Sequence, residues 1–308
     1  MTQTGEKIHI ALATDDNYLD FAMVVINSVA HFHPADGLPV VVHLLTSGLS
    51  AGARRRLASF QPRGVEIREI AMDAASFARR WCGARSPMFY RLELPELLES
   101  AERCIYLDCD MVALDDIEKL WRVELQGHPL GAVGDRAGFQ AKRKRYAADG
   151  RMFNSGMMVM DLKLWRQRRE VERLRQYWHD HNDEMQFADQ GLLNVCFSAD
   201  YCLLHQRWNI INSVYRNPPM EGVYSAAEVR EALHDPGIVH FTGHHKPWML
   251  LKRFHHPYGY AFCRMALKTP VSLRKRVACW LKLHCNGGFV DSPKRGAWSR
   301  EDIRDITI

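Results

Sequence analysis

The sequence predicts an α/β sheet with right-handed crossovers, and three observations carry that expectation. Apolar runs of strand length alternate with stretches of helical period along much of the chain, as expected where strands and helices follow one another. The central run, Cys104 to Leu107, leads straight into Asp108-Cys109-Asp110, and open sheets bind ligands at the carboxyl ends of their strands. No G-x-G-x-x-G or Walker loop occurs, so neither a dinucleotide fold nor a P-loop NTPase is supported. The chain has 308 residues, 47% of them hydrophobic, which suffices for one large domain plus an appendage.

The elements follow in order. Lys7 to Thr14 is a first strand, and Thr14 to Leu19 opens a helix that has ended by Pro34. Asp15, Asp16 and Asn17 suit helix capping; equally, they form a polar site above the strand, with Tyr18 offering a flat face to a base ring. Val40 to Thr46 and Val65 to Ile70 are strands on either side of a helix from Ser50 to Phe60. Arg91 lies on an otherwise apolar helix from Ser86 to Pro95. It reads as a surface salt bridge or as a phosphate clamp. Leu114 to Trp121 is a short helix with an acidic first turn. Leu130 to Val133 and Phe153 to Asp161 are strands, and the charged stretch Arg136 to Arg151 is a candidate mobile loop or lid. One long helix is expected from Leu162 to about His181, then another from Asp189 to Asn194; Trp208 to Asn212 reads as irregular.

Side chains two apart on an extended chain point the same way, so Asp108 and Asp110 can face one point with Cys109 turned away. Two such carboxylates beside an apolar strand would repel each other and lose hydration. A hard divalent cation relieves both costs. A short strand, Ile238 to His240, makes His240 the best candidate for a third ligand, although a strand-end histidine is often only a core residue. Gly243 then turns the chain, and Lys246 is placed for a diphosphate.

The eight cysteines form no C-x-x-C pair. They read as reduced thiols in a cytosolic protein, without structural zinc. No apolar run is long enough to span a membrane, so the protein is expected to be cytoplasmic. The net charge is +5, yet the stretch from Lys246 onward has 13 Lys and Arg against 4 Asp and Glu, or +9. The remainder is therefore −4. From Pro270 to His284, helical spacing places Leu273, Val277, Trp280, Leu281 and His284 on one face. Lys275 and Lys282 lie opposite, with Arg274 and Arg276 on the flanks. Such a helix suits either the interface of an anionic membrane or docking on the main domain with a solvated basic face. No nucleic-acid-binding signature is present.

Taken together, the ordered set Ala13 to Tyr18, Tyr90-Arg91, Tyr106 to Asp110, Phe153 to Gly156, Asp189-Gln190 and His240 to Trp248 resembles glycosyltransferase family eight. This family comprises retaining, UDP-sugar-dependent transferases, among them bacterial lipopolysaccharide galactosyl- and glucosyltransferases. The resemblance covers roughly residues 7 to 250. It implies a GT-A type, Rossmann-like domain over residues 1–255 with a mixed, mostly parallel sheet. Residues 256–308 would form a helical, basic extension attached at the inner face of the cell membrane. It implies Mn²⁺, with Mg²⁺ as a substitute, on Asp108, Asp110 and His240. Ala13, Asp15, Asn17 and Tyr18 would line the nucleotide site. Arg91, Asn154 and Asp189 would contact the donor sugar, and Gly243 and Lys246 would close over the diphosphate. Gln190 would lie near the anomeric carbon, making Gln190 and Asp189 the catalytic candidates. The implied partners are a UDP-hexose and an oligosaccharide or lipid-linked glycan acceptor. Galactose and glucose stay open, as does a non-catalytic nucleotide-sugar-binding subunit. Cys109 and Ser155 are small departures from the family pattern, and Arg136 to Arg151 and Asn209 to Tyr224 follow it least, so acceptor choice would reside there.

Overall fold

The computed structural model describes residues 5–84, 86–135, 152–185, 188–216, 223–249 and 256–284. The expected loop from Arg136 to Arg151 and the residues beyond 284 lie outside these. The strands are β1 (Ile8–Asp15), β2 (Val40–Ser47), β3 (Val65–Ala71), β4 (Arg103–Leu107), β5 (Met111–Ala113), β6 (Leu130–Gly134), β7 (Phe153–Asp161), β8 (Cys202–Leu203), β9 (Ile210–Ile211) and β10 (Ile238–His240). Seven of them form one sheet in the order β3-β2-β1-β4-β7-β6-β8, and a small second sheet has the order β5-β10-β9. Pairing is parallel from β3 to β4 and between β6 and β8, and antiparallel where β7 meets β4 and β6.

The helices are α1 (Leu19–Phe32), α2 (Ala51–Ser59), α3 (Ala74–Arg80), α4 (Leu94–Leu97), α5 (Ile117–Trp121), α6 (Leu162–Arg168), α7 (Glu170–His181), α8 (Ala188–Phe197), α9 (Asn212–Arg216), α10 (Ala226–His234), α11 (Gly259–Leu267) and α12 (Leu273–His284). Both faces of the large sheet are covered, as a largely parallel sheet requires. Alternation along the strands divides them: Ile8, Ile10, Leu12, Ile105 and Leu107 enter one core, and Ala11, Ala13, Cys104 and Tyr106 enter the other.

The structure departs from the sequence reading at several points. Arg91 lies on a 3-10 turn, Pro87–Glu93, rather than an α-helix, and it is buried, so it is no surface ion pair. The helix after β7 is two helices, because Arg169 adopts left-handed backbone (φ 54°) and breaks it. That conformation ends a helix even when glycine does not supply it. Asp15 closes β1, and its carboxylate caps the turn ahead of α1; the residue at the helix N-cap is Tyr18. The stretch read as irregular includes β9, the outer strand of the second sheet.

Residues 256–284 join the main core. Tyr258, Phe262 and Met265 are fully buried, and α11 packs on α1. The α12 helix docks through Ala278, Cys279 and Lys282. Lys282 is thus buried rather than solvated, and burial lowers its pKa. Leu273, Val277 and Trp280 point outward instead, 76%, 45% and 48% exposed.

Candidate active site

Three strand ends build the site. The main chain leaves β4 through Asp108, Cys109 and Asp110 and enters β5 at Met111. β10 pairs antiparallel with β5, setting His240 against Met111. The Phe241 N–H extends that ladder by donating to the Asp110 carbonyl at 2.9 Å. Non-local pairing in a three-residue strand thereby carries an imidazole across the sequence to the two carboxylates. His240 Nε2 lies 3.0 Å from Asp110 Oδ1 and 3.9 Å from Asp108 Oδ2. One ligand atom from each of Asp108, Asp110 and His240 falls within 4.8 Å of the other two.

Neighbouring groups set the orientation of the imidazole. Asn209 donates through its amide nitrogen to Asn154 Oδ1 at 2.9 Å, so its oxygen faces His240 Nδ1 at 3.1 Å. The Nδ1 proton goes to that oxygen. Nε2 then either carries a second proton or turns a lone pair toward the carboxylates, the form a metal ligand needs. Gly156 leaves the necessary space: a Cβ there would stand 2.4 Å from His240 Cε1 and 2.7 Å from Asp108 Oδ2. Two carboxylates, an oriented imidazole and a wall without a side chain fit a divalent cation. A second cluster, His33, Asp116 and Glu118, is explained by the fold. His33 Nδ1 pairs with Asp116 at 2.7 Å, its Nε2 with the Leu38 carbonyl at 2.8 Å, and Glu118 takes the Leu38 N–H at 3.0 Å.

Arg91 organises the opposite side. It donates to Asp108 Oδ1 at 2.8 Å, to the Ser155 carbonyl at 2.6 Å and to the Met88 carbonyl at 2.7 Å. Its Nε is 3.1 Å from Asp189 Oδ2, and its guanidinium lies 4.1 Å over the Tyr106 ring. Burial works against this cation, but Asp108 and Asp189 outweigh it and hold Arg91 firmly charged. Burial pushes the Asp189 carboxyl up to about 6, against the pull of Arg91. Asp110 has the reverse balance. Its burial is outweighed by His240 and Lys246, which hold it well below the usual carboxylate range.

Lys246 donates to Asp110 Oδ2 at 2.5 Å and to the Phe241 carbonyl at 2.6 Å. It reaches back because the chain turns at Gly243, whose φ of +86° favours glycine. Trp248 stacks on Phe21 of α1 with ring centroids 3.7 Å apart and pins this loop. Gln190 Oε1 accepts from Asn154 Nδ2 and the Ser155 N–H, both at 3.3 Å, and its Nε2 donates to Asp135 Oδ2 at 3.2 Å. A chain of contacts thus runs from Asp135 through Gln190, Asn154, Asn209 and His240 to Asp110.

A cleft of about 550 Å³ opens over these groups, within the range of small-molecule sites. Ala13, Asp15, Tyr18, Arg91, Asp108, Asp110, Gly243 and Lys246 are among its lining residues. The Asp15 carboxylate takes the N–H groups of Asn17 and Tyr18 at 3.0 and 3.1 Å, and Tyr18 is 42% exposed. Asn17, Asn154, Asp189, Gln190 and His240 are not among the lining residues. The last four stand in the shell of contacts just described. Sequence reasoning missed Asn209, Asp135 and the Tyr106 hydroxyl, which donates to Asp108 Oδ1 at 3.1 Å. Tyr106 alone left a signal, lying two residues before Asp108 on the same strand face.

The family model for glycosyl transferase family 8 matches residues 9–251. Among curated relatives, General stress protein A of Bacillus subtilis (strain 168) is 29% identical over 265 residues, covering 82% of this chain and 91% of its own. Glycosyltransferase GlyF of Streptococcus pneumoniae is 28% identical over 246 residues, 78% of this chain and 56% of its own. Among solved structures, the galactosyltransferase LgtC in complex with donor and acceptor sugar analogues superposes with a TM-score of 0.71 at 26% identity. That match covers 88% of this chain and all of LgtC. The mixed, mostly parallel seven-stranded sheet is thus the GT-A fold of LgtC. The protein belongs to glycosyl transferase family 8 and is a glycosyltransferase.

Proposed function

We propose that the protein is a retaining hexosyltransferase. It moves galactose or glucose from a UDP-sugar to a hydroxyl of a glycan acceptor of the lipopolysaccharide or lipooligosaccharide core. The observation that carries this reading is the convergence of Asp108, Asp110 and His240, with Lys246 beside them, where the two carboxylates and Lys246 line a cleft that also takes in Tyr18. Asp108, Asp110 and His240 would hold Mn²⁺, or Mg²⁺ in its place. When bound, the ion supplies positive charge to the leaving diphosphate.

The residues of the chain divide the remaining work. Tyr18 offers its exposed face to uracil, and the turn fixed by Asp15 presents Asn17 beside it. Lys246 adds a second cation where charge develops on the leaving group. Arg91 locks Asp108 and Asp189 in place. Gln190 is an uncharged amide and a poor nucleophile. Asp189 is buried behind the Arg91 guanidinium, poorly placed to attack an anomeric carbon. Both points favour attack by the acceptor from the face the diphosphate leaves, with a diphosphate oxygen taking the acceptor proton.

The protein would act in the cytoplasm at the inner face of the membrane. No helix of the described residues is long and apolar enough to cross a membrane. A peripheral contact with anionic lipid is supported by the outward Leu273, Val277 and Trp280, flanked by Arg274 and Arg276. The enzymatic reading is tested by incubating purified protein with UDP-galactose or UDP-glucose, with and without Mn²⁺. Ion-dependent UDP release that disappears in Asp110→Asn is expected. Release insensitive to chelator and to that substitution would refute the reading.

A further inference from the structure

We propose that Lys275 is a positioning residue for the nucleotide end of the cleft, held there by the buried carboxylate of Asp20. This inference rests on the reading that the turn from Asp15 to Tyr18 receives the nucleotide. Asp20 lies in the first turn of α1 and is fully buried, where an unpartnered carboxylate would be costly. Three donors from two segments, α2 and the start of α12, satisfy it. Arg56 of α2 donates through Nε at 2.8 Å, the Ser272 N–H ahead of α12 donates at 3.0 Å, and Lys275 Nζ stands 3.3 Å away.

The same ammonium reaches the turn that leads into Tyr18 at the cleft. It donates to the Asn17 carbonyl at 2.8 Å and lies 4.1 Å over the Phe21 ring. Asn17 sits within the turn whose N–H groups at residues 17 and 18 are held by Asp15. A side chain of α12 therefore fixes the carbonyl side of this turn, and Asp15 fixes the N–H side. Tyr18 has no side-chain cap of its own at the start of α1. Phe21, under the ammonium, is also the ring on which Trp248 of the Lys246 loop stacks. The turn, the diphosphate loop and α12 thus meet around one aromatic ring. In this reading α12 completes the nucleotide site through Lys275, whose partners are Asp20, Asn17 and Phe21 rather than Asp108, Asp110 or His240. Loss of Lys275 should accordingly weaken donor binding and spare the chemical step.

The test compares full-length K275M, K275R and D15A with the unaltered chain. It measures UDP affinity by calorimetry in the presence of Mn²⁺, KM and kcat for donor hydrolysis, and the thermal midpoint. K275M should raise the UDP dissociation constant and the donor KM by about five- to tenfold, with kcat within about twofold. K275R, which keeps a cationic donor, should recover most of the loss. Unchanged UDP affinity in K275M would overturn the proposal, as would a lowered thermal midpoint alone or a fall in kcat at constant KM. D15A separates the two levels. If it weakens UDP binding while K275M does not, only this inference fails; if neither does, the nucleotide-site reading fails with it.

Discussion

Gly156→Ala places a single methyl group against the proposed metal ligands. The added Cβ would stand 2.4 Å from His240 Cε1 and 2.7 Å from Asp108 Oδ2, against an ordinary carbon–carbon contact of about 3.5–4 Å. About 1 Å of movement is therefore demanded of a buried imidazole whose Nδ1 is tied to Asn209 at 3.1 Å. Backbone retreat is also resisted, because the Asp108 N–H donates to the Gly156 carbonyl at 2.8 Å. Overpacking of this kind costs about 1–3 kcal/mol, which lowers the thermal midpoint by several degrees at most without unfolding the chain. A 1 Å misplacement in a catalytic array costs about 100-fold in rate. Steady-state UDP release over a Mn²⁺ titration, with a thermal melt of the same preparation, separates the two effects. The expected result is a folded protein with activity down about 100-fold and the Mn²⁺ requirement moved to higher concentration. A folded variant with unaltered rate and Mn²⁺ dependence would show that His240 and Asp108 do not work at that wall.

Other outcomes follow from the same geometry. Asn209→Leu removes the acceptor that fixes His240 and should weaken Mn²⁺ binding about 10- to 100-fold, measurable by electron paramagnetic resonance of free Mn²⁺. Arg91→Met leaves Asp189 and Asp108 without their shared cation and should cost about 3–5 kcal/mol in denaturant unfolding. The Asp189 carboxyl, raised to about 6 by burial, binds a proton in the folded state that the unfolded chain has already released above about pH 4. Its contribution is fully present below that pH and is lost as pH rises to about 6, a change of about 3 kcal/mol. Asp189→Asn should remove that fall from the stability profile measured between pH 4 and 7.

Much of the site was legible because its chemistry sits where strands end. Asp108 and Asp110 follow an apolar run, and His240 follows another, so position and residue type together pointed to a cation. Asn209 left no such mark. It lies in a short stretch without period, and its role exists only because β9 and β10 pair across the sequence. The break at Arg169 was hidden for a related reason: helical spacing continues through it, and only the backbone departs. On α12 helical spacing groups Leu273, Val277 and Trp280 on one face, and all three are exposed, but which face docks is decided elsewhere. Ala278 and Cys279 are small enough to let α12 approach α11, and Asp20 draws the start of the helix in by bonding Ser272 and Lys275. Helical period alone does not encode that choice.

Everything proposed for the reaction requires Asp108, Asp110 and His240 to hold one divalent ion. Anomalous diffraction at the manganese edge, from crystals grown with Mn²⁺ and UDP, tests it most directly. One strong peak within coordination distance of all three side chains, adjoining the diphosphate, is expected. A peak at another place, or UDP bound with no peak beside these residues, would contradict it.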